Sequence, residues 1–130
     1  VRLIVSSSAI LWVWRVSVMQ SNEQRIVDEV VQRLLEVFPI EKIILFGSRA
    51  RGDAHEDSDF DFLVIMDTDE KPIRRGFPVR QVGRIPGVPM DFLVRTPAEW
   101  ERGFPLKKEI VAEGSVLFEK PNGTVVDEGA

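Results

Sequence analysis

The chain contains no cysteine, which excludes disulfide scaffolds, cysteine zinc sites and thiol nucleophiles. That absence fits a cytoplasmic protein. His55 is the only histidine, so paired-histidine metal centres are excluded too. Any bound metal is left with oxygen ligands, which favours magnesium, manganese or calcium. No strong basic excess is present: 17 lysines and arginines oppose 21 acids, for a net charge of −4. A nucleic-acid coat protein would be strongly basic, so no direct nucleic-acid binding is expected. Two phosphate-binding patterns are also missing. No G-K-[ST] follows a glycine-rich turn and no G-x-G-x-x-G occurs, which removes the P-loop and dinucleotide-fold readings.

What is present supports one compact domain: 130 residues, 44% of them hydrophobic, with charges of both signs. The opening stretch "VRLIVSSSAILWVWRVSV" differs from the rest, being apolar and free of acids. Three readings of it stay open. It is a targeting segment, although Arg15 interrupts it and no small-residue cleavage site follows; or a strand or helix added at the domain edge; or an extension from an upstream start, with Met19 as the functional beginning. It is too short and too broken to span a bilayer, and no membrane association is expected. The expected organisation is a leader or extension over 1–18, one domain over 19–119 and a flexible tail over 120–130.

From Ser21 the pattern becomes orderly. Ser21 or Asn22 can cap a helix with Glu23 in its first turn, and Ile26, Val27, Val30, Val31, Leu34 and Leu35 recur at helical spacing up to Pro39. "EKIILFG" predicts a strand over about 42–46, and Ser48 to Gly52 a short helix. A polar loop runs to Ser58. Asp59 to Met66 then reads as a strand apolar on both faces beyond its opening, which places it centrally. Pro72 can begin a helix, but Gly76, Pro78 and Gly83 predict an irregular connection to about Pro86. A third strand is predicted over about 89–94. Thr96-Pro97-Ala98-Glu99 has the form of a capped helix start. Leu106 to Glu113 predicts another short helix, and "SVLFE" a final strand. The order of elements indicates an α/β or α+β layer fold.

The chemistry concentrates in "GSRARGDAHEDSDFDFLV", residues 47–64. Strand alternation puts Asp59 and Asp61 on one face, about 6–7 Å apart along the chain. An unpartnered buried carboxylate is costly, yet Asp91 repeats the oddity inside "VPMDFLV". Each acid alone has an ordinary explanation: a turn residue, a helix-cap partner, the mate of a buried arginine. Three in two otherwise apolar strands, beside a Gly-Ser turn, fit a pair of divalent ions held about 3.5–4 Å apart. Asp91 completes the set if its strand neighbours the other. Gly47 lets the backbone approach a ligand, and Ser48 offers a hydroxyl to an anion. Arg49 and Arg51 either clamp phosphates, face a partner or form a solvated basic face. Ser48 has no histidine placed to activate it as a nucleophile, and His55 is read as solvent-exposed.

The spacing Gly47-Ser48, then Ser58-Asp59-x-Asp61, then a lone Asp91, resembles the DNA polymerase β-like nucleotidyltransferase superfamily. Within it, "FGSRARGDAHEDSDFDFLV" is similar to the minimal nucleotidyltransferase family. The similarity continues through "VPMDFLVRTPAEWER" to "KKEIVAEGSVLFE", from about Glu23 to Glu119. The resemblance implies a small mixed sheet with helices packed on one side. It implies ATP or another nucleoside triphosphate bound with two magnesium ions. Gly47 and Ser48 would hold the β- and γ-phosphates, with Arg49 and Ser58 as further nucleotide-binding candidates. Asp59, Asp61 and Asp91 would be the metal ligands and catalytic residues, Asp91 also helping to deprotonate an acceptor hydroxyl. It further implies a HEPN-domain toxin as partner, one of whose tyrosines is adenylylated, making this chain a type VII-like antitoxin. Two alternatives stand beside it: an antitoxin that binds without catalysis, and a nucleotidyltransferase for a small molecule such as an antibiotic. Homo-oligomerisation is possible in any of them. The breaker-rich connection between the second and third strands departs from relatives that carry a clear helix there.

Overall fold

The structure, a computed structural model, describes residues 22–121. The expectations for the leader, the Ser21 cap and the tail beyond Pro121 lie outside the described residues. Residues 30–120 form one compact unit, and the first turns of the opening helix, through Glu29, belong to another.

Helix α1 spans Asn22–Val37. Its buried positions Gln24, Val27, Val30 and Leu34 recur every three to four residues, as helical spacing predicts. Gln24 donates to Asp28 Oδ1 at 2.7 Å, one turn on. Strand β1 (Ile40–Phe46) begins two residues before the predicted start. Helix α2 (Ser48–Arg51) and strand β2 (Phe60–Met66) follow. Helix α3 covers Pro72–Gly83, strand β3 Met90–Arg95 and helix α4 Pro97–Arg102. Helix α5 (Lys107–Glu113) and strand β4 (Ser115–Glu119) complete the described chain. Among the described residues no helix is long and apolar enough to cross a membrane.

The four strands form one sheet in the order β3-β2-β1-β4. β1 pairs antiparallel with β2 and β4, whereas β2 and β3 run parallel. The sheet is therefore mixed, and the α/β class is as expected. β2 is interior, which explains why Phe60 and Phe62 to Met66 are all buried.

Register fixes which residues share a face. Ile43 and Leu45 lie opposite Val64 and Phe62, and Phe62 lies beside Phe92. Phe62 and Phe92 stack with ring centres 5.2 Å apart. On the other face Ile44, Leu63 and Ile65 cluster with Ile110 of α5, and Phe46, Leu93, Trp100 and Phe104 pack around them. The resemblance placed the helices on one side; here they meet both faces, because β1 and β2 are apolar on both. Gly83 of α3 adjoins both Leu34 of α1 and the Phe92 ring, while α4 and α5 supply Trp100 and Ile110 to the opposite face.

The connection after β2 corrects the sequence reading. It is not irregular: α3 is one helix of 12 residues with Pro78 inside it. Gly83 marks a close approach rather than a break. A Cβ on Gly83 would lie 3.0 Å from Leu34 Cδ2 and 3.1 Å from the Phe92 ring. Packing and anchors outweigh poor propensity. Val79 is fully buried. Arg75 donates to the Glu70 carbonyl at 2.9 Å and to Glu99 Oε1 at 2.7 Å, and Arg80 donates to the Met90 carbonyl at 2.8 Å.

Candidate active site

The site lies where β1 ends and β2 and β3 begin. Helices α4 and α5 pack on the face carrying Leu63 and Ile65. The same face continues to Asp61, whose register partners are Phe46 on β1 and Asp91 on β3. Parallel neighbours in register point to one side, with backbones about 4.8 Å apart. The requirement that Asp91 neighbour the second strand is thus met.

Asp59 sits one residue before β2 begins, because the ladder opens at Phe60, whose N–H donates to the Pro89 carbonyl at 3.0 Å. Asp61 is half-buried, whereas Asp59 and Asp91 are exposed. Burial pushes the Asp61 carboxyl above its ordinary range, and the negative charges of Asp91 and then Asp59 push it further, with Arg51 opposing. Among the described residues none of the three carboxylates accepts a hydrogen bond or forms an ion pair.

That environment suits a divalent cation: the donors are all oxygens and mutually repelling, and Arg51 offsets them only in part. The three are not drawn into a closed cage, however. Among the described residues no group of three acids or histidines is gathered tightly enough to hold an ion.

The Gly47 turn is built against Asp61. Its φ of +78° lies in the left-handed region, and a Cβ there would sit 2.3 Å from Asp61 Oδ2. Only glycine meets both demands. The Gly47 carbonyl accepts from the N–H groups of Ala50 and Arg51, both at 3.0 Å, and Gly52 closes the turn of α2 in the left-handed conformation. The Ser48 hydroxyl has no partner among the described residues.

Arg49 and Ser58 are brought together, but with each other. Arg49 Nε and Nη2 donate to the Ser58 carbonyl at 3.2 and 3.0 Å, and Nη2 also donates to the Glu56 carbonyl. The guanidinium lies 4.5 Å from the centre of the Phe60 ring. Ser58 Oγ accepts from the His55 N–H at 2.7 Å. These two residues staple the loop that delivers Asp59, and His55 itself is exposed, as expected.

Arg51 is the cation whose charge draws the Asp61 carboxyl back down. Its Nη1 donates to Glu113 Oε1 and its Nε to Asp53 Oδ2, both at 3.2 Å. Asp53 is legible from the sequence as a near neighbour. Glu113, at the end of α5, gives no signal there, because only folding brings it to the turn.

Comparison with known proteins agrees with this geometry. A nucleotidyltransferase domain model matches residues 25–118. A candidate protein adenylyltransferase of Methanocaldococcus jannaschii is 48% identical over 50 residues, which is 37% of this chain and half the length of that relative. Solved structures share the fold. A toxin–antitoxin crystallised with AMP-PNP superposes with a TM-score of 0.57 at 19% identity, covering 77% of this chain and 78% of that one. A candidate nucleotidyltransferase from Sulfolobus solfataricus superposes with a TM-score of 0.56 at 24% identity, covering 73% and 78%. With the family model spanning most of the chain and its acids and glycine turn meeting at one end of the sheet, the protein belongs to the nucleotidyltransferase domain family.

Proposed function

We propose that this protein is a magnesium-dependent adenylyltransferase that moves AMP from ATP to a tyrosine hydroxyl of a HEPN-domain toxin, and so acts as a type VII-like antitoxin. The observation that carries the reading is the in-register pairing of Asp61 with Asp91 on adjacent parallel strands, beside a glycine turn with no room for a side chain. The named relative, a candidate protein adenylyltransferase, supports a protein acceptor. The toxin–antitoxin likeness supports a toxin partner and an adenine nucleotide.

Asp59, Asp61 and Asp91 would hold magnesium, which when bound neutralises charge on the triphosphate. Gly47 lets the triphosphate lie against the backbone, and the Ser48 hydroxyl donates to a phosphate oxygen. Asp91 takes the proton of the acceptor hydroxyl. The hydroxyl oxygen bonds to the α-phosphorus, the bond to the bridging oxygen breaks, and pyrophosphate leaves. The protein's part is positioning and charge compensation.

The test is incubation with α-labelled ATP, magnesium and the product of the neighbouring gene, taken as the candidate HEPN-domain partner. Label is expected on a tyrosine of that protein, and Asp59→Asn, Asp61→Asn and Asp91→Asn should each reduce transfer by about a hundredfold or more. Equal labelling by these variants would remove the site assignment. A triple variant that still neutralises the toxin would favour occlusion, and label on an aminoglycoside instead of protein would favour a small-molecule acceptor.

A further inference from the structure

The outward side of α3 has no part in the site described above. Ile73 is 89% exposed and Phe77 68% exposed. They stand one helical turn apart, opposite the buried side formed by Arg75, Val79 and Gly83. Residues four apart on a helix are surface neighbours, so the two form one exposed apolar pair on this side. The helix and the turn after it are cationic: residues 71–90 contain Lys71, Arg74, Arg75, Arg80 and Arg84 and no acid, in a chain of net charge −4, with the exposed acids Asp67, Asp69 and Glu70 confined to the segment before Lys71. Lys71, Arg74 and Arg84 are exposed and form no ion pair with any described residue.

We propose that this side of α3 is the docking surface for a protein partner that presents an acidic rim around an apolar pocket. Charge complementarity selects that occupant. A second copy placing its own α3 here would oppose arginine to arginine, and like charges across an interface repel. A nucleic acid would use the arginines but gives Ile73 nothing to pack against. A protein pocket uses both: the two apolar side chains fill it, and the cations meet its acidic rim.

The surface is also separate from the chemistry. α3 adjoins the Phe92 face of the sheet, and Asp61 and Asp91 point to the other. Docking and transfer can therefore be disrupted independently. This inference rests on the reading of a protein acceptor, and the experiment keeps the two apart.

The probe is the product of the neighbouring gene, the candidate HEPN-domain partner, titrated at two salt concentrations. I73E/F77E and R74E/R84E are each expected to weaken the complex about thirtyfold, with ATP binding and melting temperature unchanged. The wild-type complex should weaken as salt rises. Wild-type affinity in both variants, or no complex with the wild-type chain, would overturn the proposal. So would a homodimer that I73E/F77E dissociates, or an RNA oligonucleotide as the only ligand the variants lose. A complex formed through α3 with no label transferred would sink the transferase reading and leave docking intact. Labelling and affinity undiminished in I73E/F77E would do the reverse.

Discussion

Asp61 is a half-buried carboxylate beside two others, with Arg51 as its opposing charge and Gly47 pressed against its oxygen. Such a residue is kept at the expense of stability. Asp61→Asn is expected to raise folding stability by about 0.5–1 kcal/mol while abolishing transfer, read from urea denaturation beside the labelling assay. A lower midpoint would mean that the charge is compensated in the folded state. Gly47→Ala combines a positive φ with a clash on that same oxygen. It is expected to lose about 1–3 kcal/mol and ATP affinity with it, whereas unchanged titration by ATP would show that the turn yields freely. The three acids were legible because a carboxylate in an apolar strand is an anomaly that packing does not explain. The uses of Arg49 and Ser58 were not legible. Their partners are backbone carbonyls and an amide, groups that every residue carries and that no sequence marks.

Glu99 shows how elements are joined. Its Oε1 accepts from the Thr96 N–H at 2.9 Å, completing the capping box of α4, and from Arg75 Nη1 of α3 at 2.7 Å. The hydrogen bond from Arg75, with the Thr96 N–H second, holds its carboxyl at about 2 rather than 4.5. A depressed pKa gives stability that is complete above the unfolded value of 4.5 and lost as pH falls toward 2. Glu99→Gln should therefore cost about 1–3 kcal/mol at pH 7 and flatten the stability profile between those values, as acid titration of the melting temperature would show. A parallel profile would mean that other groups govern acid unfolding. Gly114 sets a second joint, between α5 and β4. A Cβ there would meet the Ile110 carbonyl at 2.5 Å and Ile44 Cγ2 at 2.6 Å. Gly114→Ala is expected to lose about 2–4 kcal/mol, checked by denaturant midpoint. The capping box was readable because its residues are contiguous. Helix α3 was misread because Gly76, Pro78 and Gly83 were weighed by local propensity, while Phe92 and Glu99, from distant segments, decide that stretch.

At the scale of the molecule, the class and the number of strands follow from alternation and turn residues, but their order does not. β4 returns to pair with β1, on the side away from β2. It covers the edge of a strand whose Ile43, Ile44 and Leu45 are buried. A chain ending before Ser115 exposes that edge and is expected to self-associate, seen as a rise in light scattering; a monodisperse product would show that β1 needs no neighbour there. Docking through α3 was equally invisible, since exposure is a property of the folded surface and Ile73 and Phe77 read as ordinary apolar positions in a chain. The parallel register of Asp61 with Asp91 has a consequence for where the gene can change length. Adding one residue within Phe60–Met66 or Met90–Arg95 turns a carboxylate to the wrong side of the sheet. Adding several in the turn at 84–89 leaves the ladder to realign the two strands as before. Insertions and deletions that spare function should gather in that turn and in the 52–58 loop, and be absent from the two strands, in a selected library of length variants.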